Sequence, residues 1–340
     1  LLVNLPEIST AIAQEKVTTL PGAMGEVLKN NGYSVCLLGN GDTGSSQLRA
    51  AAVIAMDAQG QIPYGDIGSN TVLNPDDSFL SYETNYQYLY EQIKQYEPTT
   101  DLYVVDLADL SRLETADKAF DHIALQEKER RLKMIDAFVG QIAQSIDPTR
   151  DLLMVVSPSP NREQTQNKNY FTPVIAWGKG FTTGGMTSAA TQRDLVVANT
   201  DIAPTILGFF GLTDDTQTMI GRPIQIDPSI QGALIEAQQL TTQASTVNRL
   251  RVPLIKGYVV FHIIIILLAV VTLFWMAKLA PLIKPAIVAL AIVPLVYLFS
   301  NLLPWSADWM YIVMAIVLTL LVTLVLMKLT RSNAYQAFVV

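Results

Sequence analysis

The sequence predicts an α/β domain over its first two thirds and a group of transmembrane helices at its C-terminal end. Up to about residue 235, short apolar segments alternate with longer amphipathic ones, which is the pattern of strands alternating with helices. From residue 257 onward the chain is apolar and almost free of charge. We therefore expect an α/β domain over 1–235, a linker or juxtamembrane segment over 236–256, and membrane helices over 257–330.

Charge is distributed unevenly between these parts. Residues 1–250 hold 17 of the 23 Lys and Arg residues and 29 of the 30 Asp and Glu residues. Such asymmetry indicates two different environments along one chain. The acidic first part argues against a nucleic-acid partner, because phosphate binding needs a basic surface. The lone cysteine, Cys36, excludes an internal disulfide and a cysteine-rich metal site.

Each element of the α/β domain follows from its pattern and length. The short apolar runs predict strands at 33–38, 51–56, Leu102–Val105, Leu152–Val156 and 173–177. The longer segments predict helices at Ala23–Asn30, 82–96, 117–146 and 200–210, the last capped by Thr200 or Asp201. Strands that read as continuous apolar runs are buried on both faces, so we expect a mostly parallel sheet covered by helices on both sides.

A glycine-rich loop follows the first predicted strand. Gly39 to Gly44 reads Gly-Asn-Gly-Asp-Thr-Gly, and Asp57 stands 18 residues after Gly39, as in a dinucleotide-binding fingerprint. Only residues 45–50 separate this loop from the predicted strand at 51–56, whereas a parallel crossover needs about a dozen residues or more. The spacing therefore argues against dinucleotide binding.

Carboxylates lie where a parallel sheet binds its ligands. Asp106 and Asp109 follow the predicted strand Leu102–Val105, and ligands of open α/β sheets bind at the carboxyl ends of the strands. The alternative is that Asp106 only caps the next turn. Both residues are candidates for a functional site.

Three uncharged runs predict three membrane helices. The runs lie between Lys256 and Lys278, between Lys284 and Asp308, and between Asp308 and Lys328, and they hold 21, 23 and 19 residues. Each is close to the ~20 residues that cross a bilayer as a helix. We predict helices at about 257–277, 285–304 and 309–327, with the lipid bilayer as a partner.

Basic residues predict the orientation in the membrane. The first inter-helix loop and the segment after the third helix would face the same side, and they carry Lys278, Lys284, Lys328 and Arg331. The segment before the first helix would face the other side, and it carries Arg249, Arg251 and Lys256. The positive-inside rule places the four in the cytoplasm by this small margin. We expect a multi-pass protein of the cell membrane whose soluble domain is extracytoplasmic.

Four segments resemble the alkaline phosphatase/sulfatase superfamily. Residues 198–207, Ala-Asn-Thr-Asp-Ile-Ala-Pro-Thr-Ile-Leu, are similar to the Asp-Ile-x-Pro-Thr-Leu helix of that family, and 220–224, Ile-Gly-Arg-Pro-Ile, are similar to its usual sequel. Residues 28–35 and 173–180 resemble the family's "helix, Gly-Tyr, strand" step and its late strand. The resemblance covers about residues 20–226. It implies an α/β/α sandwich that acts on phosphate or sulfate esters, mostly outside the cytoplasm.

The metal-binding motifs of that superfamily are altered in this chain. The resemblance implies two divalent metals held by Asp and His and a Ser, Thr or Cys nucleophile. The usual Asp-x-x-x-His begins here at Asp106 without its histidine, Asp-His-Gly is replaced by 157–161, Ser-Pro-Ser-Pro-Asn, and Gly-Lys-x-His by 39–42. We expect no metal or cofactor. The alternative is an all-oxygen site for Mg²⁺ or Ca²⁺ from Asp42, Asp106 and Asp109. A divalent metal, Mg²⁺, Ca²⁺, Mn²⁺ or Zn²⁺, is expected only if the protein is active.

The expected function is therefore binding. The predicted cleft consists of Asp42, Asp106, Asp109, Ser157, Ser159, Asn161 and Asp201, and it would hold an envelope partner or a small anionic ligand. One alternative is an active, divergent membrane-bound phosphatase, sulfatase or phosphotransferase for an envelope or lipid-linked substrate, whose nucleophile lies in an N-terminal part missing from this chain. Another is a transporter or envelope-assembly component.

Overall fold

The computed structural model describes residues 20–44, 46–74, 82–115, 121–213, 218–275, 278, 280–300 and 308–330. The chain forms two compact units. Among the described residues, the first unit runs to Asn161 and resumes over Pro173–Ala233, and the second holds Arg162–Thr172 and the residues from Leu234 onward.

The first unit mixes short strands with helices. Its helices are α1 (Ala23–Asn30), α2 (Ala52–Ala55), α3 (Tyr86–Tyr96), α4 (Asp109–Thr115), α5 (Asp121–Ser145) and α7 (Ile202–Phe209). Its strands are β1 (Val35–Leu38), β2 (Tyr64–Asp66), β3 (Val72–Leu73), β4 (Glu83–Thr84), β5 (Leu102–Val105), β6 (Leu152–Val156), β7 (Val174–Gly178), β8 (Gly185–Thr187) and β9 (Gln225–Asp227). This confirms the predicted α/β class.

Strand β1 is the centre of a small parallel sheet with the order β2-β1-β5. All four of its residues are buried, because successive side chains point to opposite faces and both faces are covered. Leu37 packs with Leu28 and Leu207 of α1 and α7, whereas Cys36 packs with Leu89 of α3 and with α5. The continuous apolar run of β1 is thus explained by helices on both sides.

The remaining described strands pair antiparallel. Strand β6 pairs with β7, β3 with β4, and β8 with β9. The strands predicted at Leu152–Val156 and 173–177 are therefore confirmed as strands, but they run antiparallel to each other, so the parallel part of the fold is smaller than expected.

The strand predicted at 51–56 is wrong. This segment forms the short helix α2, Ala52–Ala55, and alanine, which recurs here, is the strongest helix former. The next strand beside β1 is β2, Tyr64–Asp66. Residues 39–63 connect the two strands and are long enough for a parallel crossover. The spacing therefore does not exclude a dinucleotide fingerprint, and that part of the prediction is wrong.

The second unit contains the apolar helices. It comprises α6 (Arg162–Gln166), α8 (Ala233–Phe274), α9 (Ala280–Ser300) and α10 (Asp308–Leu329). Two of them, α8 and α10, are long and apolar enough to cross a membrane, and α9 contains a shorter apolar segment, Ile283–Phe299. These helices give weak support to a membrane location. The predicted linker over 236–256 is helical and belongs to α8.

Helices α9 and α10 pack closely against each other. Val288, Ile292 and Val296 recur every four residues on α9 and contact Ala315 of α10. This spacing places them on one face of a helix. At 42 residues, α8 is about 63 Å long at 1.5 Å per residue, about twice the ~30 Å hydrocarbon thickness of a bilayer.

Candidate functional site

The buried carboxylate of Asp109 organises the edge of the sheet where β1 and β5 end. Asp109 is the first residue of α4 and is fully buried. Its Oδ1 accepts hydrogen bonds from the backbone N–H of Thr84 at 2.9 Å, from Arg112 Nη1 at 3.0 Å and from Arg131 Nη1 at 3.3 Å. Its Oδ2 accepts one from the Tyr86 hydroxyl. Both oxygens are therefore engaged by donors of the protein itself.

Arg112 joins this carboxylate to the glycine-rich loop. Its guanidinium group is 1 % exposed, and Nε donates to the backbone oxygen of Asp42 at 3.0 Å while Nη2 donates to that of Asn40. Nη1 donates to Thr84 Oγ1 at 3.1 Å as well as to Asp109. Burial lowers the pKa of Arg112, and the Asp109 carboxylate opposes that shift. We call Arg112 and the residues it contacts, Asn40, Asp42, Thr84 and Asp109, the Arg112 corner. The buried guanidinium is the structural cation of this group.

The side chains of Asn40 and Asp42 hold the loop in shape. Asn40 is almost fully buried. Its Nδ2 donates to Thr71 Oγ1 at 2.9 Å and its Oδ1 accepts from the Asp42 N–H at 2.9 Å. The Asp42 carboxylate accepts from the Leu48 N–H at 2.9 Å and from Arg49 at 3.0 Å. Asp42 is thus used within the loop.

The glycines of this loop are explained by packing. Gly39 has φ +87°, and a Cβ placed there would lie 2.5 Å from the backbone oxygen of Asp106. A Cβ on Gly41 would lie 3.0 Å from the backbone oxygen of Leu48. Close approach of backbone to backbone, rather than room for a pyrophosphate, accounts for both positions.

Asp57 lies at the opposite end of β1 from this loop. Its carboxylate accepts from Lys29 Nζ at 2.5 Å and from the backbone N–H groups of Gln59 and Gln61 at 2.9 and 2.8 Å. Burial opposes ionisation, but these donors outweigh it and lower the pKa of Asp57. It lines a cleft of about 430 Å³ beside Ser34, where β1 begins. In a dinucleotide site both the glycine-rich loop and the acidic residue lie at the carboxyl end of the strands. The position of Asp57 at the other end of β1 therefore argues against dinucleotide binding.

Asp106 differs from the other two carboxylates of this edge. It follows β5, its backbone N–H donates to Leu38 O at 2.9 Å, and its side chain is half-buried. Over the described ranges its carboxyl group makes no hydrogen bond. Burial raises its pKa, the charge of Arg112 opposes this, and the charge of Asp42 adds to it. Asp106 is the carboxyl at this edge that is left available to a ligand.

The predicted residues after β6 form a second group. The Ser157 hydroxyl lies 3.4 Å from the backbone oxygen of Ser159. Asn199 Nδ2 donates to the backbone oxygen of Pro158 at 2.8 Å, which ties this exposed loop to the turn before α7. Asn161 ends the same loop and is the last residue of this part of the first unit. Ser159 is exposed and Ser157 is half-buried, and both carry a hydroxyl group.

Asp201 has a structural role at the start of α7. It is fully buried, and its carboxylate accepts from the backbone N–H groups of Ala198 at 2.8 Å and Arg222 at 2.9 Å. Thr205 Oγ1 accepts in turn from the Ile224 N–H at 2.8 Å. Segments 198–207 and 220–224, which carry the resemblance described above, thus contact each other.

The structure therefore divides the predicted cleft into two groups. Asp42, Asp106 and Asp109 meet around Arg112, and the loop from Ser157 to Asn161 meets the turn that contains Asp201. Sequence reasoning missed Arg112 and Arg131. The spacing of Asp109 and Arg112, three residues apart on a helix, is that of an ion pair and was the available signal.

The residues at this edge do not fit the two divalent metals that the resemblance implies. Within the described ranges, no group of three or more His, Cys, Asp or Glu side chains is placed to hold a metal. Both oxygens of Asp109 are hydrogen-bonded to protein donors, and so are both oxygens of Asp42. The positive charge beside them belongs to Arg112.

Comparison with known proteins finds no family model, no curated protein and no solved structure that matches this chain. The resemblance to the alkaline phosphatase/sulfatase superfamily therefore rests on the quoted segments and stays a prediction.

Proposed function

We propose that the protein is a membrane-anchored binding module of the cell envelope, built on a degenerate alkaline-phosphatase-like domain that lies outside the cytoplasm. The observation that carries this proposal is the Arg112 corner. A buried guanidinium stands among the carboxylates at the edge of the sheet where a metalloenzyme of this kind would need cations.

A buried arginine does not replace a catalytic metal. Metal ions promote ester hydrolysis by contacting the reacting oxygens directly. Arg112 is almost completely enclosed, and its donors are used by Asn40, Asp42 and Asp109. Its charge balances Asp109 and fixes the loop, so it stabilises the corner and leaves no donor for a substrate.

Asp106 supplies the proposed ligand contact. A half-buried carboxyl group without a hydrogen-bond partner is costly unless a ligand pairs with it. It can accept from a hydroxyl or ammonium group, and the acidic character of the first 250 residues favours a cationic ligand. A small anionic ligand stays a prediction, for which the loop that carries Ser157 and Ser159 is the better candidate.

The second unit supports a three-span anchor. Arg249 Nε donates to Asp308 Oδ2 at 3.0 Å, and Thr246 Oγ1 donates to Oδ1 at 3.3 Å. These contacts bring the start of α10 beside the early part of α8. Because α8 ends far from that point, at Phe274, the chain has to return along α9. The order of charges then favours three crossings, with the soluble domain outside.

Turnover and binding by the full chain test the proposal together. The protein in lipid nanodiscs is incubated with p-nitrophenyl phosphate or p-nitrophenyl sulfate and Mg²⁺, Mn²⁺ or Zn²⁺, and spermidine serves as the cationic binding probe. We expect no metal-dependent hydrolysis, and saturable spermidine binding that is weakened by Asp106→Asn.

The matched control is Glu91→Gln, which removes an exposed carboxylate of α3. It should bind spermidine like the wild type. Metal-dependent hydrolysis that is lost in Asp106→Asn would overturn the proposal in favour of an active enzyme. Equal loss of spermidine binding in both variants would reduce the interaction to general charge attraction and would also contradict the proposal.

A further inference from the structure

A cavity of about 590 Å³ lies between α8 and α9 in the apolar part of the second unit. We call it the α8–α9 groove. It is lined by side chains that include Tyr258, His262, Ala269 and Leu273 of α8 and Ile287 and Ala291 of α9. Small residues let transmembrane helices approach closely, yet the groove persists where Ala269 and Ala291 line it.

Two polar side chains mark one end of the groove. The Tyr258 hydroxyl donates to the backbone oxygen of Leu290 at 3.2 Å, and His262 Nδ1 lies 3.3 Å from that hydroxyl. Because the hydroxyl hydrogen points to Leu290, Nδ1 must be the donor to Tyr258. In the neutral imidazole this leaves Nε2 as an acceptor, and Nε2 has no hydrogen-bond partner in the part of the chain that the structure describes.

The other lining residues of the groove are apolar. From Tyr258 to Leu273 it follows α8 for about 22 Å, most of the ~30 Å hydrocarbon thickness of a bilayer. An ionisable side chain at such a position indicates function by default, since a polar group without a partner is costly in hydrocarbon. The groove thus offers one hydrogen-bond acceptor at the end of a long apolar surface.

The volume of the groove favours a lipid chain over another helix. A transmembrane helix ~10 Å across and ~30 Å long occupies on the order of 2,000 Å³, so the open groove would seat only one face of such a helix. The groove volume lies in the range of single small-ligand sites, ~300–1,000 Å³. A single hydrocarbon chain is the occupant that fits, and the bilayer supplies such chains.

We propose that the α8–α9 groove binds one hydrocarbon chain of a lipid whose head group carries a free hydroxyl. The hydroxyl donates to His262 Nε2, and the chain runs past Ala269 and Ala291 towards Leu273. This site is separate from the ligand contact at Asp106. It rests on the part of the proposed function that places α8 and α9 in a membrane, and it does not depend on binding at Asp106.

Photolabelling of the full chain in phosphatidylcholine nanodiscs tests the site. The probe is a monoacylglycerol with a diazirine at the end of its acyl chain, and the comparison probe is the methyl ester of the same fatty acid, which lacks a hydroxyl. We expect saturable labelling of α8 near Leu273 by the monoacylglycerol. His262→Phe should weaken its apparent affinity about fivefold, the loss of one hydrogen bond, and leave the methyl ester unaffected.

Variants on two faces of α8 separate the groove from bulk lipid. Ala269→Phe fills the groove and should abolish saturable labelling, whereas Ile264→Phe, at an exposed position that does not line it, should not. Equal effects of the two variants would overturn the proposal. So would equal saturable labelling by both probes, insensitivity to His262→Phe, or equally strong labelling of the exposed Leu320 and Leu324 on α10.

Discussion

Two arginine–aspartate ion pairs in this protein lie in very different surroundings. Arg112 Nη1 lies 3.0 Å from Asp109 Oδ1, with side chains 1 % and 0 % exposed. Arg249 Nε lies 3.0 Å from Asp308 Oδ2, with side chains 44 % and 38 % exposed. The exposed pair also has a second, shorter contact, from Arg249 Nη2 to Asp308 Oδ1. Contact geometry alone would therefore rank the exposed pair first, and burial has to decide which pair matters more for stability.

Burial gives the two contacts different roles. Removing one partner of a buried pair leaves a charge without compensation and typically costs about 3–5 kcal/mol. An exposed pair is worth about 0–1 kcal/mol, since water and salt screen it. Asp109 and its two arginines hold the sheet edge together, whereas Arg249 and Asp308 form a surface contact where the start of α10 lies beside α8.

The largest expected effect is that of Arg112→Met. It leaves the Asp109 charge buried beside Arg131 alone and releases the loop at Asn40 and Asp42, so the free energy of unfolding should fall by about 3–5 kcal/mol. Hydrogen exchange of the full chain, followed by mass spectrometry during urea titration, should show earlier opening of β1 and β5.

The control for this variant is Lys133→Met. It breaks the exposed ion pair with Glu129, whose side chains are 75 % and 69 % exposed, and should leave exchange unchanged. If Arg112→Met does not fold, Arg112→Lys keeps the charge but loses the fork of donors, and it should open β1 to a smaller degree. Wild-type exchange in Arg112→Met or Arg112→Lys would contradict the structural role.

A smaller effect of opposite sign is expected for Asp106→Asn. Burial raises the pKa of Asp106 in the folded protein, so the folded state loses stability as pH rises from the unfolded pKa of about 3.9 through the folded value. At pH 7 the variant should be more stable by about 1 kcal/mol, and the gain should vanish near pH 3.5. Thermal unfolding of the full chain at both pH values measures it, and a lower Tm than wild type at pH 7 would refute this assignment.

The smallest expected effect belongs to the exposed pair. Asp308→Asn should lower the free energy of unfolding of the second unit by about 0.5 kcal/mol in low salt and by less in high salt. A charge reversal, Arg249→Asp with Asp308→Arg, should restore it. Hydrogen exchange of α10 at two salt concentrations provides the measurement, and a salt-independent loss of several kcal/mol would show that this pair behaves like a buried one.

Local pattern was sufficient to predict the centre of the fold. The apolar run of β1 predicted a strand because Cys36 and Leu37 both have to be buried, one on each face. The run at 51–56 wrongly predicts a strand, because a short apolar segment has no period that separates strand from helix. The antiparallel pairing of β6 with β7 depends on contacts far apart in sequence, which no local pattern encodes.

The candidate site was predictable in position but not in chemistry. Asp106 and Asp109 were placed at the carboxyl edge by the strand before them. Their hydrogen bonding is set by tertiary partners. Arg131 reaches Asp109 from 22 residues away, whereas no donor in the described ranges hydrogen-bonds to the Asp106 carboxyl. The positions of the carboxylates in the sequence do not reveal which of them is paired with an arginine in the folded protein.

Mn²⁺ binding tests most directly whether the Arg112 guanidinium occupies the position that a divalent metal has in a metalloenzyme of the resembled superfamily. Mn²⁺ is titrated into the full chain in nanodiscs, in the wild type and in Asp106→Asn, and bound metal is followed by electron paramagnetic resonance. We expect no saturable Mn²⁺ binding that differs between the two proteins. A site of about one Mn²⁺ per chain in the wild type that disappears in Asp106→Asn would contradict it.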